Sequence, residues 1–86
     1  MRIDPKFHLH QVAGQQILIL LGGAKNHVMD FNDTSVYLWD NLKEREFELE
    51  DVVRLLTMGY DVERSQARRD AAQWVIQLQK YGIIIL

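Results

Sequence analysis

Cysteine is absent from the 86-residue chain. That excludes disulfide staples, thiolate metal sites and cysteine nucleophiles together. Proline occurs once and glycine five times, too few for a flexible linker or a low-complexity segment. Long apolar runs are missing as well. The longest, Ile17 to Leu21, falls far short of the ~20 residues that span a bilayer. The N-terminus, Met1-Arg2-Ile3-Asp4-Pro5, puts an acid and a proline where an export signal carries its apolar core, so a cytoplasmic location with no membrane partner is expected. Neither sign of charge dominates. A net charge of −2 gives no general attraction to nucleic acid or anionic lipid. No phosphate-binding loop and no Gly-x-Ser-x-Gly motif occurs, and Asp40, Glu44 and Glu50 read as solvated charges rather than an acid–base pair.

What remains is the composition of a single globular domain spanning 1–86. Hydrophobic residues make up 48% and charged residues 26%, which suffices for one core. A chain this short buries only roughly 60% of its unfolded surface, so no enclosed cofactor cavity, and no cofactor, is expected.

Periodicity divides the chain into two halves. Lys6 to Val12 alternates, with Phe7 and Leu9 on one face and His8 and His10 on the other, which predicts a half-buried strand. Ile17 to Leu21 predicts a second strand, apolar on both faces, joined through a hairpin around Gly14. A turn at Gly22-Gly23 with Lys25-Asn26 leads to a third strand, His27 to Phe31. The period changes at Asn32, whose side chain is placed to cap Ser35 while Phe31 staples against Val36. Ser35, Leu38, Trp39 and Leu42 then recur at helical spacing, predicting a helix over 33–43. Leu49, Val52, Val53 and Leu56 predict a second over 49–58, with Phe47 beneath its entry and Gly59 as a left-handed terminator. A third runs over 63–81 and ends at Gly82, with Ala67, Ala71, Trp74, Val75 and Leu78 facing the core. Trp39 and Trp74 are both expected to be buried. The tail Ile83 to Leu86 is expected to pack back on the sheet. The predicted fold is α+β and winged-helix-like: a three-stranded antiparallel sheet followed by three helices.

Four segments carry a resemblance: Phe7 to Gly14 (FHLHQVAG), Phe31 to Trp39 (FNDTSVYLW), Val62 through Asp70, and Trp74 to Ile84 (WVIQLQKYGII). In this order and spacing the chain resembles the PqqD family, named for pyrroloquinoline-quinone biosynthesis protein D. The most specific piece is apolar–Asn–x–Thr–small–x–x–aliphatic–Trp, here Phe31, Asn32, Thr34, Ser35, Leu38 and Trp39. Two departures stand out. The loop before helix two reads Lys43-Glu44-Arg45-Glu46-Phe47-Glu48 where the family carries a glycine and a threonine cap, and Ser35 replaces a Gly or Ala. The resemblance implies a non-catalytic domain that binds the leader of a ribosomally made precursor peptide. It implies further that the leader is handed to a modifying enzyme, often a radical-SAM maturase. The leader would pair as an added strand beside the third strand and lie against the third helix.

The residues offer matching chemistry. Strand addition needs a free sheet edge with side-chain pockets beside it. The edge is Val28, Met29, Asp30 and Phe31, with Met29 and Phe31 on one face and Val28 and Asp30 on the other. Opposite the core stripe of helix three stand Arg69, Ala72, Gln73, Ile76 and Lys80. Ala72 and Ile76, four apart, make an apolar strip for leader side chains, and Arg68, Arg69 and Lys80 offer charge-assisted bonds to an acidic leader.

Other readings weigh less. In a DNA-binding winged helix, Arg68, Arg69, Gln73 and Gln77 would read the duplex. However, Lys43 to Asp51 holds two bases against five acids, which disfavours approach to phosphate. His8, His10 and His27 could together hold zinc, yet no carboxylate or helical partner accompanies them, and exposed strand histidines are usually plain polar surface. The doubly apolar Ile17 to Leu21 strand leaves a second copy of the chain open as a partner.

Overall fold

In the computed structural model, residues 1–12, 15–20 and 28–86 are described, with side chains for 1–10 and 31–86. The elements are β1 (Arg2–Ile3), β2 (Phe7–Val12), β3 (Gln15–Leu20), β4 (Val28–Phe31), α1 (Asp33–Leu42), α2 (Leu49–Gly59), α3 (Arg64–Lys80) and β5 (Ile84–Ile85). The class is α+β. Strands β2, β3 and β4 pair antiparallel in that order, with Phe7 opposite Leu20, Val12 opposite Gln15 and Gln16 opposite Phe31. The expected turns at Gly14 and at Gly22 to Asn26 lie outside the described residues, as do the side chains of Ile17 to Leu21.

Helix α1 starts as its cap predicts. Asn32 Oδ1 accepts the Ser35 N–H at 2.8 Å, satisfying one of the first-turn donors that have no intrahelical partner. Leu38, Trp39 and Leu42 turn inward, and Trp39 meets Phe31 edge to face at 5.6 Å. Helix α2 has no threonine cap. Its start is fixed instead by Asp51, whose Oδ2 accepts the Glu48 N–H at 2.8 Å. Phe47, buried just before this cap, sits beneath the helix entry beside buried Val52 and Val53.

Helix α3 ends in a Schellman motif. Gly82 takes φ +73°, the Ile83 N–H bonds Leu78 O at 2.8 Å and the Gly82 N–H bonds Gln79 O at 3.0 Å. Leu78 and Ile83 are both buried there, which is the apolar contact that accompanies this motif.

Three expectations are corrected. Gly59 is not a left-handed terminator: it is the last residue of α2, followed by the extended Tyr60, and only Gly82 has positive φ among the described glycines. Its small size serves packing instead, because a Cβ there would lie 2.8 Å from the Tyr37 ring. Tyr37 also donates its hydroxyl to Leu55 O at 2.8 Å, tying α1 to α2. Among the described residues the C-terminal tail pairs with the N-terminal strand rather than with the three-stranded sheet. Ile84–Ile85 pairs with Arg2–Ile3 in a separate two-stranded ribbon, which buries Ile3, Ile83 and Ile84 against the helices while Leu86 stays exposed. Trp74 is not fully buried. It packs on the rim of the core formed by Ala67, Ala71, Val75 and Leu78.

Candidate functional site

Strand β4 is the edge of its sheet. Among the described residues nothing pairs with its outer side, so alternate backbone N–H and C=O groups there remain open to a further strand. The chain passes from β4 through Asn32 straight into α1. The first turns of α1 and the middle of α3 then enclose a cleft of about 330 Å³. Asn32, Thr34, Ser35 and Leu38 line one wall, Asp70, Gln73, Trp74 and Gln77 the other, and Leu56 of α2 closes the base. Leu38 and Leu56 are buried, so the floor is apolar while hydroxyls and amides form the rim. The Trp74 indole N–H donates to Ser35 Oγ at 3.2 Å, linking the two walls. Along the α3 rim, Arg69 donates to Gln66 Oε1 at 2.7 Å, and Gln66 donates to Asp70 Oδ1 at 2.8 Å, which steadies a cation beside the cleft.

The sequence-predicted residues divide between this cleft and other surfaces. Val28, Met29 and Asp30 lie on β4 as expected, with side chains outside the described set. Phe31 is 8% exposed, so it offers its backbone only and its ring belongs to the core. Gln73 lines the cleft. Arg69, Gln73, Gln77 and Lys80 recur at four- and three-residue spacing, which places them on one flank of α3. Ala72 and Ile76 share that side of the helix, Ile76 standing seven residues from Arg69 and four from Lys80, but neither lines the cleft. Each is two residues from Trp74, about 200° round the helix, and Ile76 is 63% exposed. Arg68 is engaged elsewhere: with Arg64 it grips Glu50 of α2, at 2.9 Å for Arg68.

Sequence reading missed Trp74, Thr34, Ser35 and Gln77 as cleft residues. Thr34 and Ser35 stood inside the most specific motif, where their small polar side chains were legible only as helix-start chemistry. Trp74 sits at the margin of the core stripe, where helical spacing cannot separate a buried side chain from one walling a groove.

The cleft has the chemistry of a binding site. Asp70 is the one carboxylate among its described lining residues, and it faces the hydroxyls of Thr34 and Ser35 with no histidine or lysine beside them. Among the described residues no three His, Cys, Asp or Glu converge on a point that would hold a metal ion. His8 and His10 are exposed with ring centroids 6.4 Å apart, and His27 lies outside the described residues. No described helix is long and apolar enough to cross a membrane.

Comparison with known proteins fits this geometry. The family model described as "Coenzyme PQQ synthesis protein D (PqqD)" matches residues 18–84, which take in β4, all three helices and every residue lining the cleft. The chain belongs to the PqqD family. The Phe7 to Gly14 segment, part of the sequence resemblance, lies outside the matched residues. Among solved structures, a PqqD-like fold appears in "TbiB1 in Complex with the TbiA(beta) Leader Peptide". That chain is 18% identical, with a TM-score of 0.77, over 96% of this chain and 93% of the other. At that identity the likeness shows the fold. No curated protein matches the chain.

Proposed function

We propose that this PqqD-family domain is a non-catalytic adaptor. It binds the leader of a ribosomally made precursor peptide and presents it to a modifying enzyme, such as a radical-SAM maturase, in the cytoplasm. The observation that carries the reading is the open β4 edge running directly into a cleft with an apolar floor and an amide and hydroxyl rim. Membership of the PqqD family supports it, as does the shared fold of TbiB1, described in complex with a leader peptide.

In this reading the fold is winged-helix-like and the leader adds as a strand outside Val28–Phe31, where backbone bonds fix its register but read little sequence. An apolar leader side chain then packs on Trp74 above Leu38 and Leu56, while Gln73 and Gln77 hydrogen-bond its neighbours. Arg69 and Lys80, on the same flank, favour acidic leader residues. Ala72 and Ile76 lie beside these cations but outside the cleft.

Blocked peptides test strand addition. A precursor leader peptide that binds the domain is N-methylated at pairs of alternate residues. Methyls in the phase facing β4 are expected to weaken binding about ten- to hundredfold, and those in the opposite phase to have little effect. Equal loss in both phases counts against strand addition.

A further inference from the structure

An adaptor that held only the leader would sequester it, so presentation requires a second surface that stays free when the leader is bound. A concavity of about 590 Å³ lies between the N-terminal segment, β2 and α1, and shares no lining residue with the α1–α3 cleft. It uses Val36, Trp39 and Asp40 of α1 and its C-cap Lys43, whereas the cleft uses Thr34, Ser35 and Leu38. By helical geometry these two sets face about 140° apart, so α1 separates the two concavities.

Its floor is apolar. Ile3, Phe7 and Trp39 are buried, and Leu9 and Val36 are half-buried at its base. Among the described lining residues the rim is acidic: Asp4, Asp40 and Glu44 stand with the imidazoles of His8 and His10 and one ammonium, that of Lys43. That ammonium already faces Asp40 at 3.9 Å, and Glu44 makes no ion pair among the described residues. A low-lying apolar floor inside a carboxylate rim complements a segment carrying both apolar and cationic side chains.

Two other occupants fit poorly. Nucleic acid would bring phosphates against the carboxylates. A two-fold dimer would bury two copies of this rim in one interface, with three carboxylates for each ammonium, because an isologous contact joins the same patch to itself.

We propose that this groove docks a lysine- or arginine-bearing amphipathic segment of the modifying enzyme while the leader occupies the other cleft. The kind of partner rests on the adaptor reading. The groove itself is tested separately, because each concavity contains one tryptophan. In isotope-labelled chain the two indole N–H signals are told apart by Trp74→Phe.

The probe is a synthetic amphipathic helix of about 14 residues, four turns, with leucines on one face and lysines on the other. Its glutamate counterpart is the control. The lysine peptide is expected to move the Trp39 signal and the amides of Val36, Asp40 and Glu44, while leaving Trp74 unmoved. The glutamate peptide is expected to move none of them. The double variant Asp40→Lys, Glu44→Lys is expected to weaken the lysine peptide about tenfold. Equal response to both peptides, or no response at Trp39, overturns the proposal. So do Trp39 shifts that appear on concentrating the chain alone, which would make this face a dimer contact. A leader that fails to move Trp74 would refute the peptide-binding reading and leave the result at Trp39 to stand by itself.

Discussion

Trp39→Ala is expected to bring the domain to the edge of unfolding. Trp39 is 3% exposed and stacks edge to face on Phe31, so its loss removes a large buried area, opens a cavity and breaks an aromatic pair. Such truncations cost about 3–5 kcal/mol. A chain of this length has only about 4–13 kcal/mol in total. The melting temperature should therefore fall by at least about 12 °C, followed by circular dichroism at 222 nm. A drop of only a few degrees would mean that the α1 contact with the sheet contributes far less than its burial implies.

Trp74→Ala is expected to separate binding from folding. Trp74 is half-buried on the core rim, so its truncation costs less stability than that of Trp39. It also removes the aromatic wall of the cleft and the N–H bond to Ser35. Loss of such an anchor weakens binding by about 2–3 kcal/mol, or thirty- to a hundredfold, measurable by calorimetric titration of the leader. Ile76→Asp serves as the comparison. Ile76 is 63% exposed and does not line the cleft, so its substitution should leave the melt unchanged and weaken binding far less than the loss of Trp74. The reverse outcome, with Ile76→Asp impairing binding and Trp74→Ala harmless, would put the leader on the Ala72–Ile76 strip.

The helices were legible because each carries several layers of agreeing signal. At Asn32 a cap, a flanking aromatic and a new period coincide, and α1 begins there. At Gly82 a glycine follows an apolar stripe, and the chain takes its left-handed turn there. The β1–β5 ribbon was not legible, since two-residue strands have no period and their partners stand at opposite ends of the chain. Gly59 misled for a different reason. A glycine at a helix end suggests a backbone role, whereas here the demand comes from the Tyr37 ring, a contact between two helices.

The cleft was half legible. Its strand edge followed from the family resemblance, and Gln73 from the outward flank of α3. Ala72 and Ile76 drew attention as an apolar pair opposite the core stripe, yet which side of a helix meets a neighbouring wall is decided by how α1 crosses it. Arg68 shows the same limit: its charge was visible in the sequence, but its commitment to Glu50 depends on α2 and α3 lying side by side.

The most direct measurement is an amide spectrum of labelled chain with and without a precursor leader peptide. Binding at the β4 edge and cleft predicts shifts at Val28 to Phe31, at Thr34 and Ser35, at Gln73 and Gln77, and at the Trp74 indole. Shifts confined to α2 and the β1–β5 ribbon, with β4 and Trp74 unmoved, would contradict it.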